Sequence, residues 1–171
     1  MNSVVRVGLS SLRRLNNPSN LRIIASPNLV HSIRSYAMSL TFASPYDIHY
    51  KNADVKQVDV PSFSGTFGIL PDHVPTLAVI KPGVVTVFEN EGSTKKYFVS
   101  SGTVTINDDS SVQILAEEAV PIEHLDINAA REALSHATAE EQKAQTPEGK
   151  AEAKIAIEVS EALIKACETG Q

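Results

Sequence analysis

Gly65-Thr66-Phe67-Gly68-Ile69-Leu70-Pro71-Asp72-His73-Val74-Pro75-Thr76-Leu77-Ala78-Val79-Ile80-Lys81-Pro82-Gly83 sets three glycines, three prolines and one histidine at fixed spacing between two apolar runs. Gly65 and Gly68 admit backbone angles or close approaches that a Cβ forbids. Pro71, Pro75 and Pro82 fix φ and remove amide donors, which argues against a helix or a central strand here. The expectation is a shaped, rigid loop running to Gly83.

Outward from this segment, the chain from Leu40 to about Pro121 reads as strands. Val55, Gln57 and Asp59 alternate with Lys56, Val58 and Val60, which puts the two sets on opposite faces. Val84–Phe88, Tyr97–Val99, Thr103–Ile106 and Val112–Leu115 are β-branched or aromatic runs. Asn90-Glu91-Gly92-Ser93 and Asn107-Asp108-Asp109-Ser110 read as hairpin turns, and Gly102 marks a bulge or a tight link. Several short strands at this spacing predict a β-sandwich or flattened barrel. Roughly 80 residues can bury a small independent core.

After Pro121 the hydrophobic period changes and Ala, Glu and Lys dominate. Asp126 can cap a helix from Ile127, with Ile127, Ala130, Leu134 and Ala137 on one face. Thr146 then suits an N-cap and Pro147 the first residue of a second helix. Ile155, Val159, Ala162 and Ala166 make its stripe, with Ala156 and Leu163 beside it. Small residues let two helices pack closely as an antiparallel hairpin. Alanine buries little area, so at about 25 cal/mol per Å² such a pair is weak alone and needs a second surface. The fold class is α+β by segregation: an N-terminal β-sandwich at 37–121 and a C-terminal two-helix hairpin at 122–171.

The first 36 residues read differently. No acidic residue precedes Asp47, while Arg6, Arg13, Arg14, Arg22 and Arg34 and many serines do. This composition describes a mitochondrial transit peptide; the alternative is a disordered basic arm for nucleic acid. Arg34-Ser35-Tyr36-Ala37 resembles a matrix-protease site with the cut between Tyr36 and Ala37. The whole chain has 15 basic and 20 acidic residues, and five of the basic ones are in the leader. The remainder carries 10 − 20 = −10, with Arg131 as its only arginine. Such a body is a poor ligand for nucleic acid or anionic lipid and suits basic protein partners. Nothing approaches the roughly 18 apolar residues of a membrane span. The single cysteine, Cys167, excludes an internal disulfide framework and reads as a small apolar residue of the last helix. No His or Cys cluster has metal-ligand spacing, and no cofactor is expected.

His73 beside Asp72 is the one catalytic candidate, but neighbours in extended chain point to opposite sides, so Asp72 does not orient the imidazole. The other readings of His73 are a bond to the loop backbone and a contact at a protein interface. No G-x-S-x-G elbow and no G-x-x-x-x-G-K-[ST] loop occurs.

The Gly65–Gly83 segment is similar to the G-x-[FL]-G-[IV]-x-P-x-H-x-P-x-[LI]-x-x-[IL]-x-P-G signature of the delta/epsilon chains of F-type ATP synthase. In that family mitochondrial delta corresponds to bacterial and chloroplast epsilon. The resemblance runs from about Leu40 to the C-terminus and implies a β-sandwich followed by a helical pair. It implies a non-catalytic rotor subunit at the foot of the central stalk, peripheral on the matrix side of the inner membrane. The implied partners are the γ subunit, the small mitochondrial ε subunit and the proteolipid ring. Thr66 and His73 then fall at the ring interface, although the bacterial form has a carboxylate where Thr66 stands. Phe63, Phe67, Ile69, Leu70 and Leu77 are candidates for core or interface. The rival reading is a nucleotide-sensing inhibitory regulator, since some bacterial relatives hold ATP with [IL]-D-x-x-R-A. Here Asp126 is kept, but Arg131 follows five residues later rather than three, with Ala129 in its place. At about 100° per residue that turns the guanidinium to another face, so no tight ATP site is expected.

Overall fold

The computed structural model describes residues 38–170, and the expected leader lies outside them. Among the described residues, strands β1 (Met38–Ala43), β2 (Ile48–Ser62), β3 (Gly65–Ile69), β4 (Thr76–Ile80), β5 (Gly83–Glu89), β6 (Thr94–Val99), β7 (Gly102–Ile106), β8 (Ser111–Ala116) and β9 (Ala119–Pro121) come first. A 3-10 turn (Ile122–His124) leads into helices α1 (Ile127–Lys143) and α2 (Pro147–Gly170). The expected sandwich-then-hairpin order is observed.

The strands run β1-β8-β7-β4-β2-β5-β6-β9, with β3 on β2 and β1 returning to β2, so the sheet folds over on itself. β2 makes this possible, because its first half pairs with β1 and its second half with β3 and β5. β1 and β8 are parallel, a pairing that no hairpin turn announces. Leu40, Phe42, Val58, Val60, Ile69, Val85, Val87, Val99, Val104 and Ile114 are fully enclosed between the layers.

The simple alternation expected for β2 fails at Lys56. Val55, Val58 and Val60 are all buried, whereas Gln57 and Asp59 face outward. The register against β5 slips between Val55 and Gln57, a bulge whose extra residue restores the apolar set to the core.

The Gly65–Gly83 segment is also not one loop. β3 and β4 occupy most of it, and only Leu70–Pro75 and the Lys81-Pro82 link are irregular. The prolines avoid the ladders: Pro71 and Pro75 flank the irregular stretch, and Pro82 lies between β4 and β5. Gly65 (φ 122°) supplies the positive φ that closes the β2–β3 turn. A Cβ at Gly68 would sit 2.9 Å from the Asp59 carboxylate, which accepts from Gln57 Nε2 of the same strand, β2, at 2.6 Å. Gly102 is a tight link, since a Cβ there would lie 2.4 Å from the Leu115 carbonyl.

The helix caps are as expected. The Asn128 amide donates to Asp126 Oδ1 at 2.8 Å, and the Gly149 amide to Thr146 Oγ1 at 3.1 Å. Arg131 near the start of α1 lies 4.0 Å from Glu168 near the end of α2, so the helices are antiparallel. The buried set is small: Ala130 and Ala137 on α1, and Ala153, Ser160, Ala166 and Cys167 on α2. The α2 stripe is therefore rotated from the expected one. Ile155 is 63 % exposed, and the positions that let the helices close are the small ones, Ala153 and Ser160. The Ser160 hydroxyl is satisfied by the Ala156 carbonyl at 2.7 Å. α2 also covers β5, β6 and the 3-10 turn. Phe98 lies outside the core cluster yet is buried. It sits between inward Tyr97 and Val99, so its ring is on the outer side of the sheet, under the helix.

Candidate interaction surfaces

Three surfaces leave apolar or constrained groups uncovered. The first is the cleft between the hairpin and the near end of the sandwich, about 890 Å³ in volume. Turns bring Tyr46, Phe63 and Pro82 to its floor, and Ile155, Val159 and Leu163 of α2 form its wall. Tyr46 is 91 % exposed and Phe63 75 %. Its charged lining is Glu117, Glu118, Glu152 and Glu158, all acidic.

The second is the outer face of β4, β7 and β8. Val79, Thr103 and Leu115 form one cross-strand row, and Leu77, Thr105 and Gln113 the next. Leu77, Val79 and Leu115 are all more than half exposed. β-strand alternation places these side chains opposite the core residues Ile80, Val104 and Ile114.

The third is the far end of the sandwich, where the Leu70–Pro75 loop and the 107–110 turn meet. His73 Nδ1 donates to the Val74 carbonyl at 2.8 Å, so one ring nitrogen is committed to the backbone. Asp72 turns away from it, its amide bonded to Ser110 Oγ. The two groups form no acid–base pair. The His73 ring lies 6.3 Å from that of Phe67, the neighbour of Thr66, so the loop residue His73 stands beside β3, the strand that carries Thr66. Its one partner among the described strands is β2. Leu70 and Val74 are exposed beside them. Of the ambiguous apolar residues, Ile69 is core, Phe67 is half-buried against it, and Phe63, Leu70 and Leu77 are exposed.

Asp126 and Arg131 are not brought to one site. The first caps α1, and the second reaches toward Glu168 across the hairpin. Among the described residues no group of three metal-binding side chains converges, and no helix is long and apolar enough to cross a membrane.

One charged cluster is structural. Glu89 Oε1 accepts from Tyr50 at 2.8 Å and from Lys95 at 2.9 Å, and Oε2 accepts from Ser93. The bonds from Ser93, Lys95 and Tyr50 pull the Glu89 carboxyl down to about 2. Burial, reinforced by Glu89, pushes the Tyr50 phenol up, and the same carboxylate raises the Lys95 ammonium. The cluster ties the β5–β6 turn to β2.

Sequence reasoning had missed Tyr46, Val79, Leu115 and the cleft glutamates. The signal for Val79 and Leu115 was present, as apolar residues alternating with core positions, but alternation alone does not mark the exposed set.

The model of the ATP synthase, Delta/Epsilon chain, beta-sandwich domain matches residues 37–122. A Caenorhabditis elegans protein described as ATP synthase subunit delta, mitochondrial, is 50% identical over 135 residues, covering 78% of this chain and 82% of the relative. The Yarrowia lipolytica protein of the same description is 40% identical over 153 residues, covering 84% and 92%. A chain of the Euglena gracilis mitochondrial ATP synthase OSCP/F1/c-ring structure superposes with a TM-score of 0.72 at 25% identity, over 92% of this chain and 99% of that one. A chain of the Tetrahymena thermophila central stalk and c-ring, at TM-score 0.58 and 18% identity, shares the fold. The chain therefore belongs to the delta/epsilon chain family of ATP synthase and stands among its mitochondrial delta subunits.

Proposed function

We propose that this chain couples rotation of the proteolipid ring to the catalytic head, as a subunit with no active site of its own. It is a central-stalk subunit of mitochondrial ATP synthase by family. The observation that carries the coupling reading is the pair of uncovered apolar surfaces, cleft and outer sheet face, on a chain whose His73 and Asp72 are committed to loop structure. Exposed apolar patches of this kind mark partner surfaces. The γ subunit, the small mitochondrial ε subunit and the proteolipid ring are its partners, on the matrix side of the inner membrane. Thr66, on the edge strand β3, and His73, in the loop that follows it, face the ring. The acidic rim of the cleft suits a small partner with basic and apolar side chains. Residues 1–36 act as a transit peptide, 37–121 as the sandwich unit and 122–171 as the hairpin unit.

Tagged chain expressed in vivo and purified from solubilised mitochondria tests this. Stoichiometric recovery of γ, head and ring subunits is expected, and recovery of the free chain alone overturns it. The regulator reading has less support, since Asp126 and Arg131 are engaged elsewhere. Calorimetric titration with ATP is expected to show no micromolar binding.

A further inference from the structure

The Leu70–Pro75 loop is joined to a turn 38 residues away in sequence. The Asp72 amide donates to Ser110 Oγ at 3.0 Å, and that hydroxyl donates to Asp72 Oδ1 at 3.4 Å. Both residues have left-handed backbone, with φ 61° at each. Outside glycine this conformation is uncommon; Asp is among the residues enriched there, but Ser is not, and it persists where surroundings hold it.

The 107–110 turn is the more strongly built of the two partners. The Asn107 amide donates to the Ser111 carbonyl at 2.9 Å, and the Ser110 amide to the Asn107 carbonyl at 3.2 Å. Asp109 Oδ1 accepts from the Ser111 amide at 3.0 Å and from its hydroxyl at 2.6 Å. Asn107 Nδ2 adds a bond to that hydroxyl at 2.8 Å. The loop has one backbone bond of its own, from the His73 amide to the Leu70 carbonyl at 3.2 Å, and two side-chain bonds onto the Val74 carbonyl, from His73 Nδ1 and Thr76 Oγ1 at 2.8 Å each, none of which holds Asp72. The turn is therefore the anchor and the loop the anchored part.

We propose that Ser110 is the positioning residue of the ring-facing loop: its hydroxyl fixes Asp72 and thereby sets where His73 stands, so loop and turn dock as one rigid surface. This rests on the assignment of the His73 loop to the ring interface. Ser110 acts through Asp72 and not by touching a partner.

The discriminating variant is Ser110→Gly, which removes the hydroxyl while favouring the left-handed backbone, so it folds. In the free full chain, hydrogen exchange of the Asp72 amide should accelerate roughly fivefold, the effect of losing one ordinary hydrogen bond. In the assembled enzyme the ring should dissociate several times faster. Ser110→Asn, which tolerates positive φ and keeps a donor and an acceptor, should restore most of both. His73→Ala should speed ring dissociation while leaving the Asp72 amide protected. If Ser110→Gly leaves either readout at the wild-type value while His73→Ala weakens docking, the positioning role is overturned. If His73→Ala leaves docking unchanged, the ring assignment itself falls, and the proposal with it.

Discussion

The sandwich and the hairpin are held together in different ways. The sandwich encloses large branched and aromatic side chains, Phe42, Leu40, Ile69 and Ile114 among them, on both inner faces. The hairpin buries alanines, one serine and one cysteine, and keeps Ile155 in the open cleft. Burying a Leu or Phe contributes about 1.5–3 kcal/mol, and an alanine methyl well under that. The sandwich is thus a self-sufficient core. The hairpin depends on close helix approach, on its seat against β5 and β6, and on what fills the cleft.

The largest expected effect attacks the sandwich. Phe42→Ala should remove about 3–5 kcal/mol, because Phe42 is fully enclosed and packs edge-on against Tyr97. Urea titration should show the whole chain losing structure together; survival of the sandwich would break the contrast. Gly102→Val comes next. Its Cβ meets the Leu115 carbonyl and the Ala116 Cα at 2.9 Å, both backbone, so a loss of about 2–3 kcal/mol is expected by the same titration.

Changes in the hairpin should stay local. Asp126→Ala removes the α1 cap, about 1 kcal/mol, and should speed hydrogen exchange in the first turn of α1 while leaving β strands protected. In the sandwich, at the end of β5, Glu89→Gln should cost about 1 kcal/mol at neutral pH. The folded carboxyl sits at about 2 against an ordinary 4.5, so its contribution is complete above about pH 4.5 and fades as pH falls toward 2. The variant and wild-type stabilities should therefore converge on acidification, as followed by denaturation at stepped pH. Arg131→Ala should be the smallest, at most about 0.5 kcal/mol, since both partners of its pair are more than half exposed. A larger loss would mean that this pair latches the hairpin.

What could be read from the sequence was local chemistry. The caps Asp126 and Thr146, the turns at 90–93 and 107–110, and the change of hydrophobic period at Pro121 each depend on residues a few positions apart. What could not be read was pairing at a distance. The parallel β1–β8 ladder and the Asp72–Ser110 bonds have no local signal. The bulge at Lys56 looked like ordinary alternation because one inserted residue inverts the faces without changing composition. Helical spacing puts Ile155 on the apolar stripe, because it gives a face but not which small residues permit contact. Thr66 and His73 are candidates from their motif alone, while the cleft requires the hairpin to be placed against the sandwich.

β2 has a mechanical consequence. It is 15 residues long and laddered to β1 in its first half and to β3 and β5 in its second. Sliding one layer over the other would tear hydrogen bonds along a single covalent strand, so the layers share one load path. A twist applied at one end of the sandwich would reach the other through the strands themselves, with no flexible linker in series. A body wired this way is built to turn as one stiff piece.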